Sequence, residues 1–211
     1  MAEGQGARRQ EARRRADTLE AAARALARGQ AVAFPTDTVY GLGVSVEAAR
    51  SPQALFDIKR RDAGKPVAWL VAGPQDLERY GRQVPEYARA LARAWWPGAL
   101  TLVVRASDAV PPAFRSEAGT IGLRMPASET ALALVRAAGC PVATTSANLS
   151  GRPAPGSFSE LDAAIVEAAG AVVRDGVPES GVASTVVDCT AARPKVLREG
   201  SIPAAAIHAL A

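Results

Sequence analysis

Short apolar runs alternate with longer stretches in which apolar residues recur every three or four positions, and this alternation continues along the whole chain. The longer stretches predict helices: from Asp17 or Thr18 to about Arg28, from Ser51-Pro52 into the basic segment Lys59–Pro66, from Pro74 to Tyr80, from Pro85 to Trp95, from Ser128 to Ala138, from Ser159 to about Ala169, and from Ile202 to Leu210. The short runs predict strands at Ala31–Phe34, Val67–Val71, Leu100–Val104, Thr120–Arg124, Pro141–Thr144, Ala171–Val173, Thr185–Asp188 and Lys195–Leu197. No repeat and no long linker interrupts the series. Interleaved strands and helices of this kind predict one α/β domain.

The first strand leads into the most polar of the element ends. After Ala31–Phe34 comes Pro35, expected to end pairing because it has no N–H, and then Thr36, Asp37, Thr38, Tyr40, Gly41 and Gly43. Open α/β sheets bind ligands outside strand ends, so this crest is a candidate site. It fits equally well a turn whose Thr and Asp side chains bond their own backbone.

Composition narrows the classes. The 211 residues are 48% hydrophobic and 22% charged, ordinary for a soluble globular domain. No apolar run is long enough to span a membrane, and no signal-like apolar core follows the N-terminus, so a cytoplasmic protein is expected. Two cysteines, Cys140 and Cys189, suggest neither a disulfide framework nor a zinc site. The formal net charge is +4, and residues 1–15 hold Arg8, Arg9, Arg13, Arg14 and Arg15 against Glu3 and Glu11. Taking these from totals of 25 basic and 21 acidic residues leaves 20 and 19 for the rest. Residues 1–15 therefore read as a basic arm and 16–211 as a nearly neutral body. The arm fits contact with nucleic acid or a solvated tail.

Common catalytic signatures are missing. There is no phosphate-binding G-x-x-x-x-G-K-[ST], Gly41-Leu-Gly43 lacks the third glycine of a dinucleotide fingerprint, and His208 is the single histidine. What remains is a set of basic and hydroxylic residues at element ends. Lys59, Arg61 and Lys65 fit charge compensation at a helix C-terminus or a clamp for phosphate oxygens. Arg124 stands on the polar face of its strand with Thr120 and Gly122; it suits either a structural carboxylate or a two-pronged grip on a carboxylate substrate. Ser146 and Asn148 form an S-x-N pair that fits a turn or a site.

Taken in order, P-T-D-T-V-Y-G-L-G from Pro35, the K-x-R of Lys59 to Arg61, W-P-G at Trp96–Gly98, G-L-R-M-P at Gly122–Pro126, T-S-A-N-L-S-G from Thr145, S-T-V-V-D from Ser184 and L-R-E-G from Leu197 resemble the YrdC-like family. Within it the chain is most similar to the threonylcarbamoyl-AMP synthase group, in a short form without the extra C-terminal domain. The resemblance implies a twisted mixed parallel and antiparallel sheet flanked by helices. It implies synthesis of threonylcarbamoyl-AMP and pyrophosphate from L-threonine, bicarbonate or CO2, and ATP, for N6-threonylcarbamoyladenosine modification of tRNA. By motif match, Thr36, Arg124, Thr144 and Ser184 would bind threonine. Lys59, Arg61, Thr120, Ser146, Asn148 and Arg198 would hold ATP, with Lys59 and Arg61 placed at the reacting phosphates. Mg2+ would accompany the nucleotide, with no metal site of the protein's own. The implied partners are tRNA and the threonylcarbamoyl-transferase complex. Two departures stand out: Asp62 where relatives usually have proline, and apolar Trp69–Val71 where many carry a histidine. A non-enzymatic protein binding double-stranded RNA on the same fold is the alternative reading.

Overall fold

The computed structural model describes residues 18–60, 67–174 and 180–210. The basic arm lies outside the described residues, as do Arg61, Asp62 and Lys65. In chain order the elements are α1 (18–27), β1 (Val32–Pro35), β2 (Tyr40–Ser45), α2 (Val46–Ala49), α3 (Gln53–Lys59), β3 (Ala68–Leu70), α4 (Asp76–Tyr80), β4 (Gly81–Arg82), α5 (Glu86–Trp95) and β5 (Leu100–Ala106). They continue with β6 (Thr120–Arg124), α6 (Glu129–Ala138), β7 (Val142–Ser146), α7 (Ala163–Ala168), β8 (Ala171–Val172), β9 (Thr185–Asp188), β10 (Lys195–Arg198) and α8 (Ala204–Leu210).

One mixed sheet carries all the strands, in the order β10-β9-β5-β6-β3-β7-β2-β1-β8, with β4 added beside β5. β1–β8, β3–β6 and β5–β9 are parallel; the other pairs are antiparallel. Two neighbouring cross-strand rows explain the architecture. Val44, Ala143, Trp69, Leu123, Leu102 and Val187 form one row across six strands, and all are fully buried. Helices α3, α4, α5, α7 and α8 contribute Leu55, Leu77, Leu91, Ile165 and Ile207 to the core on that face. Each such side chain taken from water stabilises the fold by about 1.5–3 kcal/mol.

The adjacent row points to the opposite face: Gly43, Thr144, Ala68, Gly122, Val103 and Asp188. Here only one end of the sheet is roofed. Ala22, Ala25 and Leu26 of α1 and Ala131, Leu134 and Val135 of α6 pack on Val32, Phe34, Leu70 and Val142. Ser128 caps α6 by accepting the Ala131 N–H, and Gly139 ends it in the left-handed region. Among the described residues the remainder of this face is open, and that opening is the candidate site.

Three expectations change. Tyr40–Ser45 is a full strand, paired with both β1 and β7, whereas the sequence reading left it as part of the crest. Its glycines hide it: a Cβ on Gly43 would stand 2.6 Å from Val142 Cγ1 and 3.0 Å from Thr144 Oγ1, so packing removes the side chains that would have shown alternation. Pro35 does not stop pairing but lies opposite Tyr40, a terminal pair that does without its N–H. The helix expected from Ser159 begins at Ala163, capped by Asp162 Oδ1 accepting from the Ala164 N–H; Ser159 lies in a single 3-10 turn.

Candidate functional site

The crest between β1 and β2 folds on itself first. Thr36 Oγ1 accepts from the N–H groups of Thr38 and Val39 at 3.2 and 3.4 Å and donates to the Val39 carbonyl at 2.7 Å. Thr38 Oγ1 lies 2.9 Å from Thr36 Oγ1. This is the self-bonded turn, and its buried hydroxyls form a firm edge for the open sheet face.

Arg124, near the end of β6, meets that edge. Its Nη2 donates to Asp37 Oδ1 at 2.6 Å, Nη1 to Thr38 Oγ1 at 2.9 Å, and Nε to the Gly98 carbonyl at 3.0 Å. The carboxylate alternative for Arg124 is thus realised by Asp37, in a pair whose side chains are 8% and 17% exposed. At the far side of the face Arg198 of β10 sends Nε and Nη2 to the Ser184 carbonyl at 3.1 and 2.9 Å. Ser184 Oγ lies 2.9 Å from Thr101 Oγ1 and accepts from Arg198 Nη2 at 3.2 Å.

Between these anchors runs a cleft of about 630 Å³. Thr144, Ala68, Gly122, Val103 and Asp188 are five successive partners across the sheet, and all line it. The floor is flat because Ala68 and Gly122 are small. Burial and the neighbouring charge of Arg124 both lower the Arg198 pKa from its ordinary value. Two guanidiniums that repel each other across one cleft favour an anion between them.

Of the residues proposed from sequence, Thr36, Thr120, Arg124, Thr144, Ser146, Ser184 and Arg198 line this cleft together. Lys59 and Asn148 do not. Lys59 is buried, and its Nζ donates to the carbonyls of Ser146 and Asn148 and, at 3.4 Å, to Asn148 Oδ1. Asn148 Nδ2 donates to the carbonyls of Leu149 and Arg152 at 2.9 and 2.7 Å. Both side chains therefore brace the loop after β7, directly behind the lining Ser146. Arg61 lies outside the described residues. The site itself spreads over the sheet face, not in a crevice beyond the strand ends, because the roof of α1 and α6 stops short.

Sequence reasoning missed Thr101, Ser116 and Asp188, which line the cleft beside Thr38 of the expected crest. Thr101 had a signal, since Leu100, Leu102 and Val104 leave Thr101 and Val103 for the other face. Asp188 closes the S-T-V-V-D motif, but Oδ1 is occupied by the N–H and hydroxyl of Thr190, at 2.9 and 2.7 Å.

Among known proteins, the Sua5/yciO/yrdC family model, described as telomere recombination, matches residues 24–200. The threonylcarbamoyl-AMP synthase of Pyrococcus abyssi is 38% identical over 175 residues, covering 83% of this chain and 52% of the relative. That of Bacillus subtilis is 36% identical over 190 residues, covering 90% and 55%. The chain thus spans about half the length of these relatives. The solved structure of P. abyssi Sua5 complexed with L-threonine superposes with a TM-score of 0.82 at 36% identity, covering 91% of this chain and 56% of that one.

Proposed function

Because the chain belongs to the Sua5/YciO/YrdC family, we propose that its cleft makes threonylcarbamoyl-AMP and pyrophosphate from L-threonine, bicarbonate or CO2, and ATP. The observation that carries this reading is the single cleft shared by the threonine set (Thr36, Arg124, Thr144, Ser184) and by Thr120, Ser146 and Arg198 of the ATP set. The threonine complex of the P. abyssi relative supports the substrate.

The chemistry asks for positioning and charge rather than a covalent nucleophile. The threonine amine takes up CO2, losing a proton, to give a carbamate. A carbamate oxygen then bonds to the α-phosphorus of ATP while the bond from that phosphorus to the bridging oxygen breaks, and pyrophosphate leaves. Both reactants are anions, so guanidiniums that neutralise them and hydroxyls that fix their angle lower the barrier. Arg124, already oriented by Asp37, Thr38 and Gly98, suits the threonine carboxylate. Arg198 and Thr120 suit the triphosphate.

Mg2+ belongs to the proposal as the companion of the triphosphate. Asp188 is the one carboxylate among the described residues lining the cleft, and the other polar groups there are hydroxyls, backbone groups and guanidiniums. That donor set suits an ion held mainly by phosphate oxygens, with Asp188 as the side chain able to reach it. Delivery of the adenylate to a threonylcarbamoyl-transferase complex acting on tRNA, contact of the basic arm with double-stranded RNA, and a cytoplasmic setting complete the reading; the relatives' names support the adenylate as product, and the arm's five arginines support contact with RNA.

The test is pyrophosphate release from ATP with threonine and bicarbonate supplied together and singly. Release is expected only with both. Equal release without threonine would refute the synthase reading, and no release with retained binding of structured RNA would favour the alternative.

A further inference from the structure

The cleft floor holds a pair of hydroxyls of which the synthase reading uses only one. Thr101 of β5 and Ser184, just before β9, are 5% and 6% exposed, and both line the cleft. Their oxygens lie 2.9 Å apart, and Ser184 Oγ also accepts from Arg198 Nη2 at 3.2 Å. Neither hydroxyl has another partner among the described residues. Each carries one proton and two lone pairs. One proton lies in the bond between them, and the other has no acceptor in the protein. Buried donors are nearly always paired, so this one is matched to an acceptor atom entering the cleft.

We propose that Thr101 is a positioning residue for an oxyanion of the threonine substrate, acting through Ser184. The proposal rests on the synthase reading, in which Ser184 meets threonine. A carboxylate or carbamate oxygen only accepts, so Ser184 gives it its single proton. Thr101, with no other acceptor, then donates to Ser184 Oγ, and Arg198 fills the second lone pair. Two donors into one oxygen fix the direction of its O–H bond and strengthen that bond as a donor. Ser184 held in this way has no lone pair left for an ammonium or amide N–H. Thr101 is itself held by shape. Its branched side chain is stiff at χ1, and its Cγ2 points toward Gly122, 3.4 Å from where a Cβ there would stand. The methyl packs on the floor while the hydroxyl turns to Ser184. Valine keeps that shape and loses the hydroxyl; serine does the reverse.

The test titrates the full chain calorimetrically with L-threonine and, separately, with ATP, and measures the threonine KM of pyrophosphate release with bicarbonate supplied. Thr101→Val is expected to weaken threonine, as affinity or as KM, about threefold or more, the size of one neutral hydrogen bond. ATP affinity stays within about twofold, because the Arg198 bonds to the Ser184 carbonyl remain. Thr101→Ser recovers most of the loss. In a Ser184→Ala background Thr101→Val adds nothing, because the side chain it positions is gone. Thr101→Ala takes the place of the valine variant if that one does not fold. A loss with threonine alone assigns the held proton to the carboxylate; a loss only with bicarbonate present assigns it to the carbamate. The proposal alone would be overturned, in a wild type that needs threonine, by any of three results. These are a valine variant matching the wild type in threonine affinity and KM, equal losses for threonine and ATP, or a loss that persists in Ser184→Ala. A wild-type chain that neither binds threonine nor needs it would overturn the synthase reading, and this proposal with it.

Discussion

Arg124 and Asp37 form an ion pair of 2.6 Å at the edge of the open sheet face, and the same guanidinium also reaches Thr38 and the Gly98 carbonyl. The crest, the W-P-G corner and β6 therefore meet at one cation. Charge-assisted bonds of this kind contribute about 1.5–3 kcal/mol each, so the geometry is held before any ligand arrives.

Arg124→Lys keeps the charge and loses the planar fork. Threonine affinity is expected to fall at least tenfold, about 1.4 kcal/mol, with ATP affinity changed much less. Asp37→Asn keeps an acceptor for Nη2 and should lower stability while leaving a measurable threonine site. Calorimetric titration of each variant with each ligand decides. Equal losses for both ligands in Arg124→Lys would make the residue purely a structural anchor.

Lys59 is tied to the backbone of the loop after β7. Its ammonium ties the carbonyls of Ser146 and Asn148, so Lys59→Met should loosen the loop after β7. The expected result is a destabilisation of about 1.5–3 kcal/mol together with weaker ATP binding, since Ser146 lines the cleft. Hydrogen exchange at residues 146–150 is the discriminating readout. If ATP binding fell with exchange unchanged, Lys59 would act on the nucleotide directly.

Two glycines on the same face should fail in opposite ways. A Cβ on Gly43 meets Val142 and Phe34 at 2.6 and 3.0 Å, so Gly43→Ala is expected to cost stability, about 1–3 kcal/mol of overpacking. A Cβ on Gly122 finds nothing nearer than Thr101 Cγ2 at 3.4 Å, and Gly122 is part of the cleft floor. Gly122→Val is therefore expected to fold and to lose ligand binding. Urea titrations paired with binding assays separate the two, and a Gly122→Val protein that binds normally would remove the floor from the site.

The sequence carried most of this fold because both core faces repeat with clear periods. The apolar row through Trp69, Leu123 and Leu102 and the helix faces around Leu26 and Leu91 are visible as patterns. What stayed hidden lacks a period. In β2 the glycines erase the alternation, and α2 is one turn long. The site was legible to the extent that its residues sit in motifs at strand ends; Thr36, Arg124 and Ser184 line one cleft. The bonds of Lys59 to backbone were not legible, because a sequence shows a charge but not which carbonyls turn toward it.

Alkaline pH gives a last test, through Cys189 at the end of β9. Burial, with the Asp188 charge adding to it, pushes its thiol from 9.0 to about 12. A folded pKa above the unfolded one means stability is fully present below about pH 9 and is lost as pH rises toward 12, because the unfolded thiol releases a proton that the folded one keeps. Tyr87, whose hydroxyl donates to the Ala191 carbonyl at 2.7 Å, is raised to about 12 as well and acts in the upper part of the same window. Urea midpoints measured from neutral to pH 11 should therefore fall above pH 9, by at most about 1.4 kcal/mol per pH unit for one group. Cys189→Ala lowers stability by a constant amount at neutral pH and removes its share of the slope. Wild-type and variant curves that ran parallel through the window would show that the thiol is not held neutral by the fold.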